Sequence, residues 1–207
     1  MKVIALNGSP HASGTVAKGI SVMAGELAKA GIETETITVG NMHMRGCTAC
    51  NGCSKGNGCV IKGDSLNEIA GKIKEAGGII LGSPTYYGGI AGSFKCFLDR
   101  LFYSASGMMK HKVGATAVSL RRSGGISVFQ QLNNYFNLAQ VVLTPSIYWD
   151  VIHGNNPGEA EQDLEGMQIM EIQGRNMAWL IKALEAGSRE VPPPADPSEK
   201  KWTNFIR

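Results

Sequence analysis

Four cysteines, Cys47, Cys50, Cys53 and Cys59, form a C-x2-C-x2-C-x5-C run in a chain of 207 residues. Thiols this close together, in a chain whose start has no export signal, read as metal ligands before they read as disulfides. Three at successive two-residue gaps suit a 4Fe–4S cluster. Gly46, Gly52, Gly56 and Gly58 would let a short loop wrap it and turn amides toward its sulfurs. Zinc is a second reading, although tetrahedral zinc sites usually draw on two separated C-x2-C pairs. Thiols without metal are the third. Cys96 stands alone beside Phe94, Phe97, Leu98 and Leu101 and reads as a packed thiol. His43, His111 and His153 lack a second ligand at useful spacing and read as structural or surface residues.

Three further segments have residues suited to holding a small molecule. Gly8-Ser9-Pro10-His11-Ala12-Ser13-Gly14-Thr15 lacks the Gly-Lys-Ser/Thr of a Walker A loop and is not G-x-G-x-x-G. It offers the hydroxyls of Ser9, Ser13 and Thr15, and amides at the start of a helix that includes Val16. Those donors suit a phosphate monoester, and an ordinary capped strand-to-helix turn is the plainer reading. Ser83-Pro84-Thr85-Tyr86-Tyr87-Gly88-Gly89 could bring backbone amides and two aromatic faces to a flat ring such as a flavin, or could be a hairpin-like turn with two surface tyrosines. Arg121-Arg122-Ser123-Gly124-Gly125 could meet a ring edge or a nicotinamide phosphate, or be a solvated basic turn.

Alternating strands and helices must position these loops. Val3–Leu6 reads as a buried strand, and Val16, Ile20, Met23, Leu27 and Ala30 as a helical stripe stopped by Gly31. Glu33–Val39 alternates as a second strand. Ser65 with Glu68 reads as a capping box opening a helix with Leu66, Ile69, Ala70 and Ile73. Ile79–Leu81 and Val113–Leu120 are apolar strands. Phe94, Phe97, Leu98 and Leu101 mark one more helix, and Val128, Leu132, Tyr135, Phe136 and Ala139 another. A fifth strand is expected from Val141–Leu143 with Ile147–Trp149, interrupted near Pro145. A long final helix runs through Leu164, Met170, Met177 and Leu184 to Gly187. This pattern predicts an α/β fold, a doubly wound five-stranded parallel sheet with helices on both faces and its loops' ligands beyond the strands' carboxyl ends. The organisation expected is a domain over 1–187, with a cysteine-rich loop (41–63) after the second strand, and a polar tail over 188–207. Trp202, Phe205 and Ile206 in that tail suggest docking on a second subunit.

Composition excludes several classes. The net charge of +3 is too small to imply nucleic acid or a membrane surface. The apolar share of 43% against 18% charged argues against disorder. Polar residues interrupt both uncharged stretches, 76–94 and 126–149, so neither reads as a membrane span. A cytoplasmic location is expected.

The pairing of Asn7-Gly8-Ser9-Pro10 and Ser13-Gly14-Thr15 with Ser83-Pro84-Thr85-Tyr86-Tyr87-Gly88, then Phe94-Lys95 and Asp99-Arg100, resembles the NADPH-dependent FMN reductase branch of the flavodoxin-like superfamily over about residues 1–185. The resemblance implies that FMN is held by its phosphate on Ser9, His11, Ser13, Gly14, Thr15 and Val16. It implies that the isoalloxazine ring lies against Pro84, Thr85, Tyr86, Tyr87, Gly88 and Gly89, with Arg121, Ser123, Gly124 and Gly125 nearby. His11 stands where family members often have Arg and would make a weaker phosphate contact. The four cysteines resemble the compact motif of iron–sulfur flavoproteins from anaerobic prokaryotes. That likeness implies a 4Fe–4S cluster on Cys47, Cys50, Cys53 and Cys59, a homodimer or homotetramer, and an electron-transfer flavoprotein supplied by ferredoxin or another small redox partner. An NAD(P)H-dependent FMN or quinone reductase without a cluster is the alternative, and a non-enzymatic redox sensor ranks behind both.

Overall fold

The computed structural model describes residues 1–197, 201 and 203; Trp202, Phe205 and Ile206 lie outside the described residues. The chain alternates as the apolar runs require. Strand β1 (Lys2–Asn7) leads to helix α1 (Thr15–Lys29), strand β2 (Glu33–Thr38) and, after a long loop, helix α2 (Leu66–Glu75). Strand β3 (Gly78–Tyr86) turns back through the short β4 (Gly89–Ile90) into α3 (Gly92–Ala105). Then come β5 (Val113–Leu120), α4 (Gly125–Leu138), β6 (Val142–Leu143), β7 (Val151–His153) and α5 (Leu164–Gly187).

The strands pair in the order β2-β1-β3-β5-β6, all parallel, with β4 antiparallel on β3 and β7 parallel on β5. This is the doubly wound order of flavodoxin-like sheets. Alternation along β1 divides the core. Val3 and Ala5 face α1 and α5, whereas Ile4 and Leu6 face α2, α3 and α4. The sheet is therefore covered on both sides, which is why its inner strands read as unbroken apolar runs. Edge strand β2 is only half-covered and alternates in the sequence.

Two expectations need correction. Ile147–Trp149 is not a strand. The fifth position of the sheet is filled in two short pieces, β6 beside Val113–Gly114 and β7 beside Val118–Leu120, with residues 144–150 looping between them. Ile147, Tyr148 and Trp149 stand exposed on that loop, the two rings 4.7 Å apart. The reason is Asp150, buried under α5 and hydrogen-bonded to Thr116, which pulls the chain off the sheet edge at a polar anchor. The capping box at Ser65–Glu68 is also not formed. Ser65 makes no capping bond, and the Leu66 amide donates instead to Asp64 Oδ1 at 3.2 Å. At the start of α5, Asp163 caps by accepting from the Gly166 amide at 3.0 Å.

Candidate functional site

The β1–α1 loop is shaped by its own side chains. Buried Asn7 accepts from the Ser9 amide at 3.0 Å and donates to the His11 carbonyl at 3.2 Å. Ser9 Oγ accepts from the His11 amide at 3.1 Å. These local bonds curl the chain so that α1 begins at Thr15, with Gly14 at its N-cap and no side-chain cap. The uncapped first turn keeps the amides and the positive end of the helix dipole available to an anion. Gly8 is required by packing. A Cβ there would overlap the Phe94 ring and come within 2.8 Å of the Gly82 carbonyl, to which the Gly8 amide donates.

Above the carboxyl ends of β1, β3 and β5 lies a cleft of about 720 Å³, within the range that holds an organic cofactor. Of the residues singled out from the sequence, Ser9, His11, Ser13, Gly14, Thr15, Pro84, Thr85, Tyr86 and Arg121 line it. The Thr85 hydroxyl is buried without a partner, the kind of orphan that a bound polar group satisfies. Val16 does not line the cleft, because its side chain is the first rung of α1's apolar stripe and is buried in the core. Tyr87 and Gly88, at φ of +52° and +71°, form a two-residue hairpin turn between β3 and β4. Tyr87 therefore points wholly into solvent, and Gln131 supports the turn by donating to the Gly88 carbonyl at 3.3 Å. Gly89 pairs with Tyr86 in that hairpin. Gly124, at φ of +90°, lies against Thr85 and Gly88, so the two loops touch. Ser123 is exposed and Gly125 is buried at the start of α4.

The sequence reading missed one wall of the cleft. Ser119, Asn155, Asn156, Pro157, Gly158 and Glu161 line it from the end of β5 and the loop after β7. Glu159 organises that loop by accepting from the Asn155 and Asn156 amides at 2.7 and 3.0 Å. Glu161 pairs with Lys18 of α1 at 3.1 Å, and that hydrogen bond holds its carboxyl below the usual value. The Asn-Asn-Pro-Gly turn was the available signal. It follows β7, and setting the fifth strand at 147–149 detached it from any strand end.

On the α2–α3 face, the loop after β2 returns along α3. Cys47, Cys50, Cys53 and Cys59 all line one cavity of about 20 Å³, together with Ile61, Arg100 and Tyr103. Cys59 is buried, Cys53 half-buried, and Cys47 and Cys50 exposed. Asn67 of α2 clasps the Cys59 backbone, accepting from its amide at 2.9 Å and donating to its carbonyl at 2.8 Å. Tyr103 donates to Asn51 at 2.8 Å. A hydrogen bond from the Gly52 amide draws the Cys50 thiol below its ordinary pKa. Among the described residues, no three His, Cys, Asp or Glu side chains converge on a single-ion site. Four thiols on one cavity are the soft donor set that an iron–sulfur cluster takes and that zinc also accepts. Cys96 is half-buried on α3, and a Cβ at Gly46 would lie 3.6 Å from its sulfur. His153 is paired with Asp163 at 3.3 Å, and His43, His111 and His153 line neither cavity.

Comparison with known proteins agrees with this geometry. The family model described as NADPH-dependent FMN reductase matches residues 1–156. An iron–sulfur flavoprotein of Methanocaldococcus jannaschii is 33% identical over 193 residues, covering 89% of this chain and 100% of its own. An iron–sulfur flavoprotein of Methanosarcina thermophila is 28% identical over 190 residues, covering 89% and 97%. Among solved structures, RosB with a bound 8-demethyl-8-formylriboflavin-5'-phosphate intermediate superimposes with a TM-score of 0.68 at 16% identity, over 100% of this chain and 92% of its own. A flavodoxin from the domain Archaea does so at 0.57 and 17%, over 88% and 99%. Among the described residues, no helix is long and apolar enough to cross a membrane. With the sheet order and the strand-end cleft, these matches show that the chain belongs to the NADPH-dependent FMN reductase family and is a flavin-dependent oxidoreductase of flavodoxin-like fold.

Proposed function

We propose that the protein is an electron-transfer flavoprotein that binds FMN in the strand-end cleft and a 4Fe–4S cluster on Cys47, Cys50, Cys53 and Cys59. The observation that carries the first half is one cleft joining an uncapped helix start, the hydroxyls of Ser9, Ser13 and Thr15, and the unpartnered hydroxyl of Thr85. The phosphate would sit on the 9–15 loop, held by hydroxyls and amides. Pro84, Thr85 and Tyr86 would bound the ring and exclude water from one side of it, and the Thr85 hydroxyl would donate to a ring acceptor. Arg121, on the cleft wall, would favour negative charge near the ring edge. When bound, FMN supplies the redox chemistry, taking electrons in pairs or singly, so the chain need not provide an acid or base.

The second half rests on the four thiols lining one cavity, and on relatives whose names describe iron–sulfur flavoproteins. Ferredoxin or a similar small carrier would supply electrons in a reducing, cytoplasmic setting where thiols persist. A homo-oligomer is supported by the exposed Ile147, Tyr148 and Trp149 at the sheet edge. The test is anaerobic purification under cluster-competent conditions, with flavin, iron and acid-labile sulfide measured on the same sample. Flavin and iron are both expected. A sample that neither holds nor takes up riboflavin phosphate would sink the whole reading, and flavin without iron would sink its second half.

The alternative is an NAD(P)H-dependent FMN or quinone reductase with idle cysteines, favoured by the exposed Arg121 on the cleft wall. Stopped-flow bleaching of the bound flavin separates the two. Faster bleaching by reduced ferredoxin than by NADPH or NADH supports the first.

A further inference from the structure

Arg100 is among the largest fully buried side chains of the molecule, 1% exposed, and every arm of its guanidinium is used. Nη1 and Nη2 form a fork on Asp64, at 2.5 Å to Oδ2 and 3.3 Å to Oδ1. Nη1 also donates to the Arg45 carbonyl at 3.3 Å, and Nη2 to the Ile61 carbonyl at 3.2 Å. Nε donates to Cys59 Sγ at 3.4 Å. One side chain on a rigid helix thus holds both arms of the cysteine loop and places a permanent positive charge against a sulfur. A guanidinium does not lose its proton in a protein, and the Asp64 fork pairs the buried charge. Burial raises the Asp64 carboxyl, but the Arg100 hydrogen bond, the Leu66 amide and the Arg100 charge together hold it below the usual carboxylate range, so it too is ionised.

Loop anchoring alone would be met by the carbonyls and Asp64. The remaining donor, Nε–H, is satisfied by the Cys59 sulfur and so brings the guanidinium against one of the four thiols. Hydrogen bonds to cluster sulfurs stabilise the more negative, reduced state and raise the reduction potential. We propose that Arg100 is a positioning residue that sets the potential of the iron–sulfur cluster through its Nε–H···Sγ bond to Cys59, with Asp64 opposing it as a counter-charge. This rests on the reading that the four cysteines hold a cluster.

The experiment is an EPR-monitored redox titration of the anaerobic holoprotein with Arg100→Lys and Asp64→Asn. Lysine keeps a charge for Asp64 but has no Nε–H at the sulfur. Asparagine keeps a cap for Leu66 but removes the opposing charge. Arg100→Lys is expected to shift the oxidised-to-reduced ratio at fixed poise about tenfold toward oxidised, about 59 mV for a one-electron couple. Asp64→Asn is expected to shift it the opposite way. Full cluster content with unchanged potentials overturns the proposal, as do shifts of the same sign. Loss of the cluster from both variants overturns it too, since anchoring would then be the whole role. The wild type gives a reading that needs no variant. Guanidino-15N-arginine should show a hyperfine coupling to the reduced cluster in pulsed EPR, and its absence counts against the contact. Wild type lacking iron and sulfide under these conditions would instead remove the cluster reading itself, a different failure from a cluster insensitive to Arg100.

Discussion

Asp150 shows how one residue can carry both a structural correction and a pH dependence. It is 4% exposed and accepts from Thr116 Oγ1 and Gln173 Nε2, each at 2.6 Å. Burial dominates those bonds and pushes its carboxyl up to about 7 from 3.8. Between these values the folded chain retains a proton that the unfolded chain has released. Its contribution to stability is therefore fully present below about pH 4 and is lost as pH rises toward 7, by at most about 1.4 kcal/mol per unit. The thermal midpoint of the wild type should fall between pH 5 and 7.5, and Asp150→Asn should flatten that slope. An unchanged slope in the variant would place the titration elsewhere. At the cleft, Ser13→Ala removes one hydroxyl from the 9–15 loop. Flavin fluorescence titration should show riboflavin phosphate weakened by about tenfold, the worth of a hydrogen bond to a charged group, with riboflavin nearly unaffected. Equal weakening of both ligands would place the phosphate elsewhere.

At the scale of elements, the turns and not the helices set the site. The β3–β4 hairpin puts a tyrosine at φ +52°, where a Cβ is unfavourable, and glycine after it at +71°. Tyr87→Asn should raise the urea midpoint by about 0.5–1 kcal/mol equivalent, because asparagine tolerates this region. Gly88→Ala should lower it by a similar or larger amount. The β1–α1 turn is constrained by packing. Gly8→Ala forces a methyl into Phe94 and should cost about 1–3 kcal/mol by thermal unfolding, the usual penalty for overpacking. At α2 the cap is Asp64, so Ser65→Ala should change stability by less than about 0.5 kcal/mol. This follows because Asp64 is itself fixed by Arg100, and a fixed carboxylate caps before a neighbouring serine can.

Across the whole molecule, α3 runs from the exit of β2 to the cysteine cavity. Its first turn meets the exit of β2, where Ser93 Oγ donates to the Gly40 carbonyl at 3.0 Å. Further along, Arg100 and Tyr103 line the cysteine cavity. The seven to ten residues between Ser93 and the pair Arg100 and Tyr103 span roughly 10–15 Å of helix. The opposite face is closed by α5 on α1, where a Cβ at Gly174 would meet the Met23 backbone at 3.0 Å. That close approach leaves the cleft bounded by α1 and the loop after β7, with no part of α5 in its wall.

The amino-acid order alone determined the strand–helix alternation, the two-faced sheet and the three loops at strand ends. Apolar runs such as Val113–Leu120 and helical stripes such as Val16–Leu27 can bury themselves in only one general way. That the four cysteines share one loop was likewise readable, and the structure brings all four to one cavity. Tertiary structure decided what depends on distant partners. Asp150 took the chain off the sheet edge because Thr116 and Gln173 were waiting for it, so the fifth strand broke and the 155–158 loop became a cleft wall. Arg100, read only as part of a helical motif, became the hub of the cysteine loop because Asp64, Ile61 and Arg45 converge on it from the far side of a long loop. Local periodicity encodes which face is buried; which polar groups meet once it is buried is fixed only by the folded chain.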